Sequence, residues 1–154
     1  MRRQHLSIAV VLSTALLVAG CASNIKQYRI ELPHNLEIIS NTESVETTLH
    51  IYSLGNQCET DYLGTVDINS SGLELGIETG RPSYLEVGFA SSSFWGNSSS
   101  YIDYGITLLP RKAYRYEVAV SYVDNIYNVI VFEISRATEA KREMQDQELQ
   151  ICGN

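Results

Sequence analysis

The sequence contains none of the short motifs that mark the common enzyme sites. A glycine-rich dinucleotide loop, a Walker loop, a His-Glu-x-x-His zinc motif and a Gly-x-Ser-x-Gly nucleophile motif are all missing. Histidine is scarce, and neither His34 nor His50 has a second histidine or a cysteine at the spacing of metal ligands. We therefore expect no metal, no cofactor and no enzymatic activity. A Ser-His-Asp site assembled only in the folded chain stays open at this point.

Positive charge is also scarce. The chain contains 11 Lys and Arg residues against 18 Asp and Glu residues, which gives a formal net charge of −7 at pH 7. Nucleic-acid phosphates bind to basic surfaces, so we expect no nucleic-acid partner. A negative surface permits a basic partner because opposite fields steer association, although the same charge can simply keep a protein soluble.

Long apolar runs are missing except for one at the N-terminus. Residues Leu6–Ala19 are apolar apart from three hydroxyl residues, and they follow Arg2 and Arg3. The run is too short to span a bilayer, which needs roughly 20 apolar residues. A charged start, a short apolar run and small residues at its end are typical of a secretory signal. We predict that residues 1–20 are a cleaved signal peptide.

This signal ends in Val18-Ala19-Gly20-Cys21, which resembles the lipobox of bacterial lipoprotein precursors. The resemblance implies that cleavage falls before Cys21, and that this cysteine carries diacylglycerol and a further fatty acyl chain such as palmitate. Two or more acyl chains give stable membrane anchoring. Because Ala22 follows instead of aspartate, the resemblance implies the outer membrane, with the domain facing the periplasm or the cell surface. An ordinary signal peptide before an unrelated cysteine is the alternative.

Two cysteines remain once Cys21 is assigned to lipid. Cys58 and Cys152 form an even pair in an oxidising compartment, so we predict a disulfide between them. Closing a loop of this length is worth about 4–5 kcal/mol in the chain-entropy account. Free thiols or a redox couple are disfavoured because no Cys-x-x-Cys motif occurs.

From residue 45 onward, apolar and polar residues alternate with the period of two that is typical of half-buried strands. The residues predicted to share a face are, strand by strand, Thr47, Leu49, Ile51 and Ser53; Leu85, Val87 and Phe89; Tyr114, Tyr116, Val118, Val120 and Tyr122; and Ile126, Ile130, Phe132 and Ile134. Asp124 and Asn125 tolerate the positive φ angles of a tight hairpin turn. The pattern predicts a mainly β fold at 45–154, an antiparallel β-sandwich or a small barrel, after a lipidated N-terminus and linker at 21–44.

Two segments depart from this alternation. Residues 137–150 contain no Gly or Pro and are rich in good helix formers, so we predict a short C-terminal helix, with a final strand as the alternative. Residues 36–39 are a short extended piece, either an edge strand or part of the linker.

The candidate binding residues are aromatic. Phe94 and Trp95 lie at the centre of a serine-rich segment, and rigid aromatic side chains among small polar residues suit recognition. The neighbouring tyrosines Tyr101, Tyr114 and Tyr116 are further candidates. The structural alternatives are that the Phe-Trp pair caps the end of the domain and that the tyrosines pack across strands.

These features together predict an outer-membrane lipoprotein that acts as a non-enzymatic binding or assembly module. Its partners would be the membrane, through the lipid anchor, and another protein of the cell envelope. The alternative is an inhibitor of an attacking hydrolase such as lysozyme, because an acidic domain suits a basic enzyme.

Overall fold

The computed structural model describes residues 25–29, 31–42, 45–68, 72–92, 99–145 and 148. These residues form a mainly β fold, and no α-helix occurs among them. Nor does any helix within them have the length and apolarity needed to cross a membrane. Their strands are β1 Leu36–Asn41, β2 Glu46–Leu54, β3 Thr60–Ile68, β4 Leu73–Leu75, β5 Ser83–Ser92, β6 Ser99–Leu108, β7 Tyr114–Val123, β8 Ile126–Ser135 and β9 Lys141–Glu143.

The strands form two sheets. A five-stranded sheet has the order β4-β1-β7-β8-β9, and a four-stranded sheet has the order β3-β2-β5-β6. Neighbouring strands are antiparallel except for β1 and β7, which are parallel. The expectation of a wholly antiparallel fold is therefore wrong at this one pair. Because β1 lies between β4 and β7, the folded part also begins inside the segment that we predicted to be linker.

The hairpin between β7 and β8 confirms the prediction made from its turn residues. Asp124 and Asn125 have φ angles of 53° and 63°. A two-residue turn with positive φ at both positions matches the right-handed twist of the flanking strands. The two strands consequently pair without a register shift from Val123↔Ile126 to Tyr114↔Ser135.

Both sheets contribute to one buried hydrophobic cluster. In the four-stranded sheet, Leu49, Ile51, Leu85, Val87 and Phe89 lie on the buried face, as the alternation predicts. Their counterparts in the five-stranded sheet are Leu36 and Ile38 of β1, Val118 and Val120 of β7, and Val129 and Val131 of β8. Burying each such aliphatic side chain stabilises the fold by about 1.5–3 kcal/mol relative to exposure.

Strand β8 has its core face opposite to the predicted one. We expected Ile130 and Phe132 on the same face as the core, but Val129 and Val131 occupy it, followed by Glu133. Four consecutive apolar residues make the alternation ambiguous at this point, and a shift of one residue exchanges the two faces.

The predicted C-terminal helix is wrong for the residues that the structure describes, whereas its alternative, a final strand, is confirmed. Glu139, with a φ angle of 55°, reverses the chain after β8, and Ser135 N–H donates to Ala140 O at 3.0 Å. Lys141–Glu143 then pairs with β8 as β9. Lys141 donates two hydrogen bonds to Glu117, at 2.7 and 2.8 Å. Backbone pairing and this ion pair outweigh the helix propensity of the segment.

Candidate binding face of the four-stranded sheet

The structure describes only some of the residues that the sequence singled out. Phe94, Trp95, Cys21 and Cys152 lie outside the described ranges. Cys58 lies in the turn between β2 and β3, where its N–H donates to Gly55 O at 3.1 Å. The lipidation of Cys21 and the disulfide therefore stay predictions.

Tyr116 is a core residue, which corrects its assignment as a binding residue. Its side chain is 1% exposed, so it has no surface to offer a partner. Its hydroxyl donates to Glu133 Oε1 at 3.3 Å and accepts a hydrogen bond from the Arg111 N–H at 3.0 Å. Tyr114 is half-buried, with the Arg111 guanidinium 4.1 Å from its ring centroid. For these two tyrosines, packing within the protein accounts for the aromatic side chain.

Tyr101, in contrast, is 55% exposed and lies on the outer face of the four-stranded sheet. This face is opposite to the core, and we call it the tyrosine face. It is defined by Thr48, His50 and Tyr52 of β2, Tyr62 of β3, Tyr84 and Glu86 of β5, and Tyr101 and Asp103 of β6.

Neighbouring tyrosines are in contact across three strands of this face. Tyr52 is paired in register with both Tyr62 and Tyr84. The ring centroids are 5.3 Å apart for Tyr52 and Tyr62, and 5.6 Å apart for Tyr52 and Tyr84. Tilted ring pairs at these separations are favourable beyond the area that they bury. The result is a continuous aromatic row that crosses the sheet from β3 to β5.

Two glycines let tyrosine side chains lie directly on the sheet. A Cβ atom at Gly88 would collide with the Tyr101 hydroxyl, and one at Gly105 would collide with the Tyr84 ring. The two glycines belong to the neighbouring strands β5 and β6, so each tyrosine reaches across to the other strand. Covering glycine with an aromatic ring compensates for the side chain that the strand lacks.

The strands of this sheet contain acidic residues but no Lys or Arg. Their acidic residues are Glu46, Asp61, Asp67, Glu86 and Asp103. All the Lys and Arg residues found in described strands, Arg115, Lys141 and Arg142, belong to the five-stranded sheet. Lys26 lies at the β3 edge of the face, with its Nζ atom 5.9 Å from the Tyr62 ring centroid.

Burial and nearby carboxylates raise the pKa values of three tyrosine hydroxyls on this face. Burial, together with the hydrogen bond and charge of Asp103 and the charge of Glu86, raises the pKa of Tyr101 to about 12. Burial and the charge of Glu86 also raise the pKa values of Tyr52 and Tyr84. These hydroxyls thus stay protonated at neutral pH and can donate hydrogen bonds, while the two carboxylates can only accept them.

The histidine of this face is already engaged in a hydrogen bond. The Nδ1 atom of His50 is hydrogen-bonded to the Thr65 hydroxyl, and the Tyr62 hydroxyl is hydrogen-bonded to the same Thr65 hydroxyl. Within the described ranges, no group of three or more His, Cys, Asp or Glu side chains is arranged to hold a metal ion. The face presents tilted aromatic rings, hydrogen-bond donors and negative charge.

Sequence reasoning found Tyr101 but missed Tyr52, Tyr62, Tyr84 and Glu86. The signal was available, because Tyr52 and Tyr84 alternate with the apolar residues of two strands and must therefore lie opposite to the core. The pairing of those strands, which brings the rings together, was not available from alternation alone.

Comparison of the chain with protein-family models, with curated proteins and with solved structures gives no significant match.

Proposed function

We propose that this protein is a lipid-anchored, non-enzymatic binding module of the cell envelope, built as a β-sandwich, and that the tyrosine face binds a basic protein partner. The observation that carries the proposal is the coincidence of a half-buried tyrosine row and the exposed Tyr101 with a sheet whose strands contain acidic residues and no Lys or Arg. The sandwich is supported by the single core that both sheets share.

A basic partner is favoured by the chemistry of the face. Arginine and lysine side chains stack on tyrosine rings and also pair with carboxylates, and both groups are present here. Tyr84 and Glu86 are on one strand and face the same side, as do Tyr101 and Asp103. Each pair therefore offers a ring and a charge to one incoming cation.

The proposed anchor complements this surface. Acyl chains on Cys21 would hold the protein at the outer membrane without any contribution from the domain. Flat adsorption of the acidic domain on anionic lipid is disfavoured by like charge, so the tyrosine face would stay available to a protein.

Site-specific photo-crosslinking in living cells tests the proposal. A photoreactive phenylalanine replaces Tyr101 in one variant and Ile39 in another. Ile39 is a matched control because it is 44% exposed and lies on the five-stranded sheet. We expect a basic envelope protein to crosslink from position 101 and not from position 39.

Charge variants then test the chemistry of that contact. Glu86→Gln with Asp103→Asn removes two charges from the face, and Glu37→Gln with Glu143→Gln removes two from the other sheet. Losing two exposed ion pairs is worth about 1 kcal/mol, or roughly fivefold in affinity. We expect this loss only in the first double variant. Equal crosslinking from both positions, or equal effects of the two double variants, would contradict the proposal.

Inhibition of a basic hydrolase such as lysozyme is the second candidate, and the same acidic face favours it. The two candidates differ in their readout, because an inhibitor slows the hydrolase at stoichiometric concentration. If the purified protein slows no member of a panel of basic lysozymes, inhibition of this class is excluded.

A further inference from the structure

Strand β6 ends the four-stranded sheet, and its outer edge is open in the part of the chain that the structure describes. It pairs with β5 over ten positions, from Ser83↔Leu108 to Ser92↔Ser99. In an antiparallel pair, every second residue turns its N–H and C=O groups away from the partner strand. The residues from Ser100 to Gly105 are all exposed. These groups are therefore accessible from the side of the sheet.

The opposite edge of the same sheet, unlike that of β6, is covered by another segment of the chain. Along β3, the Thr65 N–H donates to Lys26 O at 2.8 Å, and Tyr28 N–H donates to Thr65 O at 3.0 Å. The segment around Gln27 thus covers that edge. Proteins also protect edges with lysine, proline or a bulge. Strand β6 contains no Lys or Pro, and its register with β5 is continuous.

The exposed side chains of β6 differ between the two sides of the sheet. Ile102 and Tyr104 are paired with Phe89 and Val87, so they lie on the core side of the sheet, yet they are 43% and 41% exposed. Tyr101 and Asp103 lie on the other side, within the tyrosine face. A strand placed beside β6 would meet apolar side chains on one side and a carboxylate on the other.

We propose that β6 accepts an extended segment of a partner protein as a fifth strand of this sheet. The segment alternates apolar residues, which cover Ile102 and Tyr104, with basic residues, which face Asp103 and Glu86. Strand addition of this kind draws affinity from backbone hydrogen bonds and specificity from alternate side chains. A second copy of this chain is the less favoured occupant, because pairing two β6 strands would bring two acidic sheets together.

The test uses the full protein and a synthetic peptide of alternating lysine and valine. Two control peptides have the same side chains. In one, alternate backbone nitrogens are methylated, so pairing along one edge is blocked. In the other, the lysines and valines are segregated into blocks. We expect the alternating peptide to bind at least about tenfold more tightly than either control, since the methylated peptide loses backbone pairing and the block peptide loses the alternate match of side chains.

Hydrogen exchange measured by NMR gives an independent readout. We expect alternate amides of β6 to exchange rapidly in the free protein and to become protected when the alternating peptide binds. Equal binding of the methylated peptide, or binding without protection in β6, would overturn the proposal. Protection of β6 in a dimer without peptide would also overturn it, by making a second copy the occupant.

A peptide of alternating serine and valine separates this inference from the proposed function. Strand addition predicts that it still protects β6, more weakly, and that Glu86→Gln with Asp103→Asn leaves its affinity unchanged. A failure of the crosslinking experiment would leave this result intact. If the serine peptide gives no protection at any concentration that saturates the lysine peptide, strand addition is wrong and charge alone is recognised.

Discussion

Glu133 is a nearly buried carboxylate that is held by two arginine side chains. It lies on the core side of β8 and is 4% exposed. Burial alone would raise the pKa of Glu133, but hydrogen bonds from Arg111 and Arg142 outweigh it, and the pKa is lowered from its ordinary value of 4.5. Arg142 Nη2 lies 3.0 Å from Oε2, and Arg111 Nε lies 3.1 Å from Oε1. The carboxylate thereby connects β9 and the segment before β7 to β8.

We predict that Glu133→Gln lowers the free energy of unfolding at pH 7 by about 1–3 kcal/mol, because two charge-assisted hydrogen bonds are weakened. This loss is smaller than the loss for breaking a fully buried ion pair, since both arginine side chains are about half exposed. Urea unfolding followed by circular dichroism measures the change. Glu143→Gln, at an exposed position of β9, is the control and should change stability by less than about 0.5 kcal/mol.

The pH dependence of the free energy of unfolding shows whether the charge of Glu133 stabilises the fold. A carboxyl whose pKa is lower in the folded state stabilises the fold above its unfolded pKa and loses that contribution as pH falls through the folded value. The wild-type protein should therefore lose stability below about pH 4.5, and the difference from Glu133→Gln should shrink there. If the difference in unfolding free energy between the wild type and Glu133→Gln stays constant from pH 7 to pH 3, the shape of the side chain and not its charge explains the lower stability of the variant.

At the scale of elements, alternation predicted most strands because one face of each is buried. Strand β2 shows this well, with Leu49 and Ile51 fully buried and Thr48 and His50 on the other face. The same reasoning failed for β8, which is apolar on both faces, and for β9, whose residues favour a helix in isolation. Tertiary pairing decided both cases, and a single sequence does not contain that information.

The candidate site was predictable to a similar extent. The sequence indicated that aromatic residues would carry binding, and Tyr101 lies on the exposed face as required. Tyr116 shares its strand face with the apolar Val118 and Val120, which places it on the core side. Tyr101 alternates with the apolar Ile102 and Ile106, which places it on the outer side. Alternation therefore distinguishes the two tyrosines, although both were predicted to be binding residues.

The disulfide prediction also belongs to this scale, since it would connect the turn after β2 to the C-terminus. We expect peptide mapping without reduction to recover Cys58 and Cys152 in one linked fragment. Cys152→Ser should then lower the free energy of unfolding by about 4–5 kcal/mol if the chain-entropy account holds. Recovery of Cys152 as an alkylated thiol, under conditions that prevent exchange, would contradict the pairing.

Considered as a whole, the molecule has an uneven distribution of charge. The strands of the four-stranded sheet contain acidic residues without Lys or Arg, whereas those of the five-stranded sheet pair Arg115, Lys141 and Arg142 with acidic partners. Neutralised pairs contribute little field at a distance, so the uncompensated carboxylates dominate the potential around the tyrosine face. A tether that leaves the domain free to turn would let this face meet a partner.

The tether itself provides the prediction for the whole molecule. If Cys21 is acylated, the wild-type protein should fractionate with the outer membrane and incorporate labelled palmitate, while Cys21→Ser should do neither. Losing every acyl chain removes about 0.8 kcal/mol for each buried methylene group, which leaves an acidic domain without membrane affinity. Ala22→Asp is the matched variant, because it keeps the cysteine and should retain the acylated protein in the inner membrane. Membrane association of Cys21→Ser equal to that of the wild type would show that the chain is held by something other than lipid.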